Sequence, residues 1–264
     1  MFIPLHDKNP LDKIRFQYVT LLLILANVVI YVFFQSDLIY PNNIQASFGF
    51  ALVPSELHSA NNFLDLFLKD VNFFSSSDPV NSAQTTQNNL IARSGLASVI
   101  IPEGWTLLSY MFLHASIWHL LGNMAFLWVF GDNVEDAMGH FRFLIFYLLC
   151  GVFAGLAHSL YNPLSQSPLI GASGAVSGVI AAYLILHPNI RVWVLAFWRI
   201  PLPLPAGLVL GFWIGMQFVF FYLQHTGQVL SNTAWVAHVG GLVAGAVLIV
   251  FMKRRGWKLF DFQH

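Results

Sequence analysis

The sequence predicts an all-α membrane protein in which six transmembrane helices form one bundle with a short central fourth helix. Three observations lead to this prediction. The chain of 264 residues is 57% hydrophobic and 9% charged, whereas soluble domains carry about 25% charged residues. Six apolar segments alternate with polar ones along the chain. Ten of the twelve Lys and Arg residues fall in segments that six crossings would place on one side.

The six apolar segments are the candidate spans. They comprise residues 16–34, 117–130, 141–160, 174–186, 205–224 and 233–252. Four of them approach the roughly 20 residues that cross a hydrocarbon core about 30 Å thick. The fourth is shorter and covers only about 20 Å as a helix. We expect it to begin inside the membrane, below a re-entrant loop that lines a watery cavity, because irregular backbone is tolerated at that depth only there.

The distribution of basic residues predicts the topology and the organisation of the chain. Because an excess of Lys and Arg marks cytoplasmic segments, we expect the tails 1–15 and 253–264 in the cytoplasm, on either side of a six-helix domain at 16–252. The first outside loop is long, and its polar part, at about 60–98, is expected to be flexible. Residues 192–205 contain three prolines and are expected to form an interfacial cytoplasmic hairpin.

Composition argues against several classes of function. The formal net charge is zero, which implies neither a nucleic acid nor an acidic partner. The single cysteine, Cys150, lies in an apolar run and cannot form an intramolecular disulfide. The sequence has no His-Glu-x-x-His motif, so we expect no metal site, and no cofactor is implied.

A run of small residues contains the first candidate for chemistry. Gly171, Gly174 and Gly178 surround Ser173 where the short fourth segment begins. Small residues four apart let a second helix approach closely, so one interpretation makes the serine a packing residue. The other interpretation makes it a nucleophile. The run is not the Gly-x-Ser-x-Gly elbow of soluble hydrolases, because position 175 is alanine.

A histidine in the last segment is the second candidate. His238 precedes Gly241 and Gly245, and an ionisable side chain within a span is a functional hypothesis by default because its desolvation is costly. A neutral histidine that bonds neighbouring helices is the alternative. Ser173 and His238 are both expected in the outer half, where the small-residue faces would allow a Ser–His hydrogen bond. The six segments contain no acidic residue, so we predict a dyad and not a triad.

The third candidate is a pair of donors on the second segment. His119 and Asn123 are four residues apart and therefore share one helix face. Both side chains can donate hydrogen bonds to a developing oxyanion, although polar contacts between helices would also explain them. Three such features on three helices, at one depth and on one side, favour catalysis.

Taken together, these motifs resemble the rhomboid family of intramembrane serine proteases. The matching motifs are Gly-Ala-Ser-Gly at 171–174, His-x-x-x-Asn at 119–123, Ala-His-x-x-Gly at 237–241 and Gly-x3-Glu-x3-Gly at 131–139. The resemblance covers almost the whole chain from the first to the last segment, except the polar insertion. A six-helix core without a seventh helix is similar to the basic bacterial form of the family.

The resemblance implies a role for each residue of the site. Ser173 would be the nucleophile and His238 its general base. His119, Asn123 and the backbone N–H of Ser173 would form the oxyanion hole. His114 would be structural, at the mouth of the cavity.

The resemblance also implies structural roles away from the dyad, and it has one departure. Gly131, Glu135 and Gly139 would be structural on the cytoplasmic side. Some rhomboids carry an aromatic residue four positions after the nucleophile, where it stacks on the catalytic histidine. This chain has Ser177 there, so its sequence does not show what orients the histidine.

The expected function is cleavage of single-span membrane-protein substrates, within the lipid bilayer and near its outer face. The expected location is a bacterial inner or cell membrane, as a multi-pass protein. One alternative is a membrane-embedded lipid hydrolase or acyltransferase with the same dyad. Another is a non-catalytic binder of membrane-protein helices, although such relatives lack the serine or the histidine. The sequence does not indicate an oligomeric state.

Overall fold

Most of the described chain is helical. A computed structural model describes residues 3–36, 48–58, 101–196, 200–228 and 233–260, and the insertion expected at about 60–98 lies outside these ranges. Within them, the six longer helices are α1 (Tyr18–Ile30), α2 (Ile117–Met138), α3 (His140–Tyr161), α4 (Ser173–Leu186), α5 (Ala206–His225) and α6 (Trp235–Met252). Two shorter helices, Pro54–Leu57 and Glu103–Ser109, precede α2, and a π-helical turn, Tyr31–Gln35, extends α1.

Four helical stretches are long and apolar enough to cross a membrane. They are Tyr18–Gln35, which joins α1 to its π turn, and helices α3, α5 and α6. A fifth candidate joins Glu103–Phe112 to α2, with a bend of 83° between them. The chain is therefore an integral membrane protein with four to five candidate spans among its described residues. The count of six crossings stays a prediction.

The short helix α4 is the centre of the bundle. It has 14 residues, and almost all of them are buried against α2, α3 and α6. A helix that is apolar all round is stable only when protein or lipid covers every face. The loop before α4 is held by a bridge between Leu169 and Leu52 of the segment that follows α1. These contacts fix where α4 begins, which is at Ser173.

Glycines bring α4 and α6 into backbone contact. A Cβ atom added to Gly241 would overlap the carbonyl of Gly174, and one added to Gly245 would overlap the carbonyl of Gly178. A side chain at Gly178 would also meet the sulfur of Cys150 on α3. Small residues allow helix axes to approach this closely. The first turns of α4 therefore lie directly against the N-terminal half of α6.

A small antiparallel sheet lies at the other end of the bundle, so the fold is mostly helical and not all-α. Its order is β1 (Ile3–Asp7), β2 (Arg191–Ala196) and β3 (Ile200–Pro205). Strands β2 and β3 form the hairpin expected at 192–205, while β1 comes from the segment expected as a tail. Prolines alternate along β3, which suits an edge strand because proline has no N–H to donate.

Helix α2 continues two turns beyond the end of its apolar segment. It runs through Gly131 to Met138 and so includes Asp132, Glu135 and Asp136, which the sequence interpretation placed after the helix. The carboxylates of Glu135 and Asp136 explain the extension, because they bind backbone N–H groups elsewhere in the chain. The helix ends at Gly139, whose φ of +83° disfavours residues with a side chain.

Glu135 and Asp136 anchor the start of the first helix. Glu135 is fully buried and accepts hydrogen bonds from the backbone N–H groups of Val19 and Thr20, and from the Thr20 hydroxyl. Asp136 accepts from the N–H groups of Lys13 and, at 2.7 Å, Ile14. The first N–H groups of a helix have no partner within it and favour negative charge. The pair therefore fixes α1 against the end of α2.

Candidate active site

The side chains of Ser173 and His238 meet at the contact between α4 and α6. Ser173 is the first residue of α4, and its Oγ lies 2.8 Å from Nε2 of His238 in the first turn of α6. Both side chains are half-buried. This distance is that of a hydrogen bond between a hydroxyl and an imidazole nitrogen. The glycine contacts between the two helices are what make it possible.

A cavity of about 1110 Å³ opens onto this pair. Its wall includes His119 and Asn123 of α2, and Trp213 and Gln217 of α5, in addition to the pair itself. The loop before α4 contributes polar groups from residues 162–167. Polar and apolar surfaces that converge on one hydrogen-bonded Ser–His pair are the features of a ligand-binding site.

His119 and Asn123 lie on the cavity side of α2, as their spacing requires. Ser116 caps this helix by accepting from the backbone N–H of His119. The Asn123 amide donates to the carbonyl of His119 at 3.1 Å. An amide nitrogen carries two hydrogens, so this bond leaves the second for a further acceptor.

Gly171 brings the His119 ring close to the serine. Its φ of +126° lies in the region that favours glycine. A Cβ atom at this position would lie 2.9 Å from Nε2 of His119 and 3.7 Å from Oγ of Ser173. Only a residue without a side chain leaves room for both. His119 and Ser173 therefore face the same small volume of the cavity.

His114 lies behind His119 and is not part of the cavity wall, whereas the resemblance implied the cavity mouth. It is fully buried, and its ring lies 5.1 Å from that of His119 in an edge-to-face contact. The side chain of Gln35 holds the backbone of His114 with two hydrogen bonds, one to the N–H at 2.9 Å and one to the carbonyl at 3.1 Å. Gln35 thus holds His114 in place, and the edge-to-face contact of His114 supports the ring of His119.

Three side chains around His238 were not singled out from the sequence. Oε1 of Gln217 lies 2.9 Å from Nδ1 of His238. The ring of Trp213 stacks on the imidazole with centroids 6.4 Å apart, and Trp235 meets it edge-on at 5.7 Å. These contacts hold the histidine in the absence of an aromatic residue at position 177. The Ser177 hydroxyl instead donates to the carbonyl of Ser173 at 2.6 Å.

One sequence signal could have identified Gln217. It is an amide in the middle of an otherwise apolar span, and such a side chain needs a hydrogen-bond partner inside the protein. The two tryptophans carry no comparable signal, because aromatic residues are common throughout this chain.

The remaining motif residues lie away from this site. Glu135, Gly131 and Gly139 belong to the opposite end of α2, where Gly131 packs on Thr20 and Gly139 packs on Arg254. Among the residues that the structure describes, no group of three or more His, Cys, Asp or Glu side chains is arranged to hold a metal ion.

The chain is similar to proteins of one family over most of its helical part. A family model described as the Rhomboid domain matches residues 102–255. The rhomboid protease GluP of Bacillus subtilis is 30% identical over 168 residues, which cover 63% of this chain and 30% of that protein. RHOMBOID-like protein 2 of Arabidopsis thaliana is 32% identical over 159 residues, which cover 59% of this chain and 45% of that protein.

The similarity extends to proteins of animals, but it covers only part of each relative. Rhomboid-related protein 2 of Mus musculus is 32% identical over 148 residues, which cover 54% of this chain and 46% of that protein. The chain thus spans less than half the length of these curated relatives. All the motif residues described above fall within residues 102–255.

Proposed function

The chain belongs to the rhomboid family, and from this premise we propose that it is an intramembrane serine endopeptidase with Ser173 as nucleophile and His238 as general base. The observation that carries the proposal is the distance of 2.8 Å between Ser173 Oγ and His238 Nε2 in a cavity with polar walls. A nucleophile and a base within hydrogen-bond reach are the minimal parts of serine catalysis.

In the proposed mechanism one imidazole makes four proton transfers, two in acylation and two in deacylation. His238 Nε2 takes the proton of the Ser173 hydroxyl as Oγ attacks the carbonyl carbon of a substrate peptide bond. It then gives this proton to the leaving amine nitrogen, and an acyl-enzyme remains on Ser173. Water then enters through the cavity, and His238 removes its proton as the water oxygen attacks the ester carbonyl. The imidazolium returns this proton to Ser173 Oγ as the ester bond breaks and the carboxylate product leaves.

Donors on two sides of the serine would stabilise the oxyanion. We assign this role to His119, to Asn123 and to the backbone N–H of Ser173 at the N-terminus of α4. The position of His119 across Gly171 from the serine supports the assignment. Preorganised donors act most strongly where water is excluded, because they need no reorientation during the reaction.

The proposed substrates are single-span membrane proteins cut near the outer face, by an enzyme with six crossings and cytoplasmic termini. All nine described Lys and Arg residues lie near the start of α1, the start of α3, the end of α4 or the end of α6. These four places form the end of the bundle opposite the dyad. Positive charge marks the cytoplasmic end, so the dyad would lie towards the outside.

A cleavage assay tests the proposal. The protein is reconstituted into vesicles with single-span substrates, and any cut is mapped by mass spectrometry. We expect cleavage within or next to the substrate span at the outer side, and none with Ser173→Ala. Hydrolysis of detergent-dispersed esters without peptide cleavage would instead indicate a lipid hydrolase or acyltransferase. Substrate capture without any hydrolysis would indicate a binding protein.

A further inference from the structure

The hydrogen-bond partner of the second imidazole nitrogen suggests how the base is prepared for its task. We propose that Gln217 is a positioning residue that fixes His238 in the tautomer with a bare Nε2. The inference rests on the proposed function, because a tautomer matters only if Nε2 accepts a proton from Ser173. Gln217 is 4% exposed and lies on α5, so it reaches the imidazole from a helix that carries neither member of the dyad.

The orientation of the Gln217 amide follows from its other partner. Nε2 of Gln217 lies 3.0 Å from the carbonyl oxygen of Trp213, one turn earlier on α5. A carbonyl oxygen can only accept, so the amide must present its N–H₂ group there. The amide oxygen is then on the opposite side, 2.9 Å from Nδ1 of His238. A flipped amide would set two acceptors, the carbonyl and the amide oxygen, against each other.

The orientation of the amide decides which ring nitrogen carries the proton. Oε1 of Gln217 can only accept, so Nδ1 of His238 must be the donor. In a neutral imidazole, one nitrogen is protonated and the other has a lone pair. Nε2 therefore has the lone pair and lies 2.8 Å from Ser173 Oγ, where it can accept the hydroxyl proton. These hydrogen bonds form a series that runs from the Trp213 carbonyl through Gln217 and His238 to Ser173. In each bond of the series a donor meets an acceptor.

The tryptophans restrict the remaining freedom of the ring. Trp213 stacks on one face of the His238 imidazole, and Trp235 contacts it edge-on. The bond to Gln217 restricts rotation of the imidazole within its own plane, and the two indoles restrict its tilting out of that plane. An amide accepts the hydrogen bond from Nδ1 without adding a charged side chain to the span, where burial of a carboxylate would be costly.

A role in packing alone would have different consequences. If the Gln217 bond only joined α5 to α6, its loss would lower thermal stability and leave the pH dependence of turnover unchanged. If Gln217 sets the tautomer, its loss lets Nε2–H imidazole accumulate, which cannot accept the serine proton. Turnover then falls while substrate binding is retained, and an acceptor at the same position restores part of the rate.

The test compares Gln217→Met, which keeps the length and volume but lacks a strong acceptor, with Gln217→Glu, which keeps an acceptor. We expect Gln217→Met to lower kcat about 10-fold to 100-fold, the effect of one charge-assisted hydrogen bond, with KM within about twofold. Gln217→Glu should retain more activity than Gln217→Met. The acidic limb of its pH–rate profile should move to higher pH, because a carboxylate stabilises the imidazolium.

Controls separate this inference from the proposed function. Gln228→Met and Gln228→Glu change an exposed glutamine just after the end of α5 and should leave kcat and the pH profile unchanged. Nitrogen-15 NMR of His238 reports the tautomer without turnover, and we expect protonated Nδ1 in the native protein and a mixture in Gln217→Met. Wild-type kcat in Gln217→Met, or equal losses and one pH profile in both variants, would overturn the inference. An inactive native protein would instead count against the proposed function.

Discussion

At the scale of single residues, Asn123 separates a catalytic role from a structural one. Its amide donates one hydrogen to the carbonyl of His119 and has a second to offer to a substrate oxygen in the cavity. Loss of one oxyanion donor costs on the order of 10²–10³ in kcat, and less when neighbouring donors compensate. His119 and the Ser173 N–H are such neighbours, so we expect Asn123→Ala to lower kcat about 10-fold with little change in KM.

A matched control for this variant lies in α1. Asn27 is fully buried, and its amide donates to the carbonyl of Leu23 at 2.8 Å, the same contact within one helix that Asn123 makes. Asn27→Ala should therefore lower Tm and leave kcat per folded molecule unchanged. If Asn123→Ala behaves in the same way, with lower Tm and full kcat, Asn123 does not stabilise the oxyanion.

The candidate site shows which residue-level features the sequence could predict. His238, His119 and Asn123 were identifiable because each is a polar group within an apolar segment, and Ser173 because it lies among glycines directly before one. Gln217 meets the same condition, but its partner could not be predicted. The contact depends on the rotation of α5 about its axis relative to α6, and the even spread of apolar residues around α5 does not specify that rotation.

At the scale of elements, strand β1 links the N-terminal segment to the C-terminal end of α4. Asp7 is the last residue of β1, and its carboxylate accepts from the Tyr183 hydroxyl and from the Asn133 amide at 3.1 Å. Because α4 also begins with Ser173, these bonds fix one end of the helix whose other end carries the nucleophile. The strand is thus part of the framework that positions α4.

The burial of Asp7 predicts how stability depends on pH. Burial raises the pKa of this carboxyl above its usual value of 3.8, although the bond from Tyr183 partly opposes the shift. A raised pKa in the folded state favours the neutral acid. The contribution of Asp7 to stability is full below the pKa that the carboxyl has in the unfolded chain. This contribution is lost as pH rises through the higher pKa of the folded state. Tm should fall from acidic to neutral pH for this reason.

The matching variant removes the titration. Asp7→Asn can still accept a hydrogen bond from Tyr183 but does not ionise. The Tm of the variant minus the Tm of the native protein should therefore increase as pH rises from about 4 to about 7. Scanning fluorimetry in detergent measures both proteins. Asp12→Asn, at an exposed position of the same segment, should follow the native curve. Parallel curves for Asp7→Asn and the native protein would show that Asp7 is not the titrating group.

Local sequence patterns predict some of the helices and strands and miss others. Apolar runs predicted each of the six longer helices, because a buried or lipid-facing helix must be apolar along its length. Strand β1 escaped prediction because its pattern is five residues long and its partner, β2, lies more than 180 residues further along the chain. The last two turns of α2 escaped because the carboxylates of Glu135 and Asp136 are satisfied by N–H groups of distant segments.

At the scale of the whole molecule, the candidate active site and the described basic residues lie at opposite ends of the bundle. The cavity and the dyad lie at the start of α4, and the described basic residues lie near the sheet and the end of α6. This division predicts an outward-facing active site and cytoplasmic termini.

Labelling of single cysteines from one side of the membrane tests this topology. Leu164→Cys lies in the loop before α4 and is 88% exposed, and Arg255→Cys follows α6 at an exposed position. The native Cys150 is buried and serves as an unlabelled background. In intact cells, an impermeant maleimide should label Leu164→Cys, while Arg255→Cys should react only after permeabilisation. The reverse pattern would invert the topology.

In the proposed mechanism His238 activates Ser173 for nucleophilic attack, and covalent labelling of the serine measures this activation. A fluorophosphonate probe reacts only with an activated serine. The purified native protein should carry one adduct, which mass spectrometry locates at Ser173. Ser173→Ala and His238→Ala should show none while their Tm stays close to that of the native protein. An adduct at another serine, or full labelling of folded His238→Ala, would contradict the account.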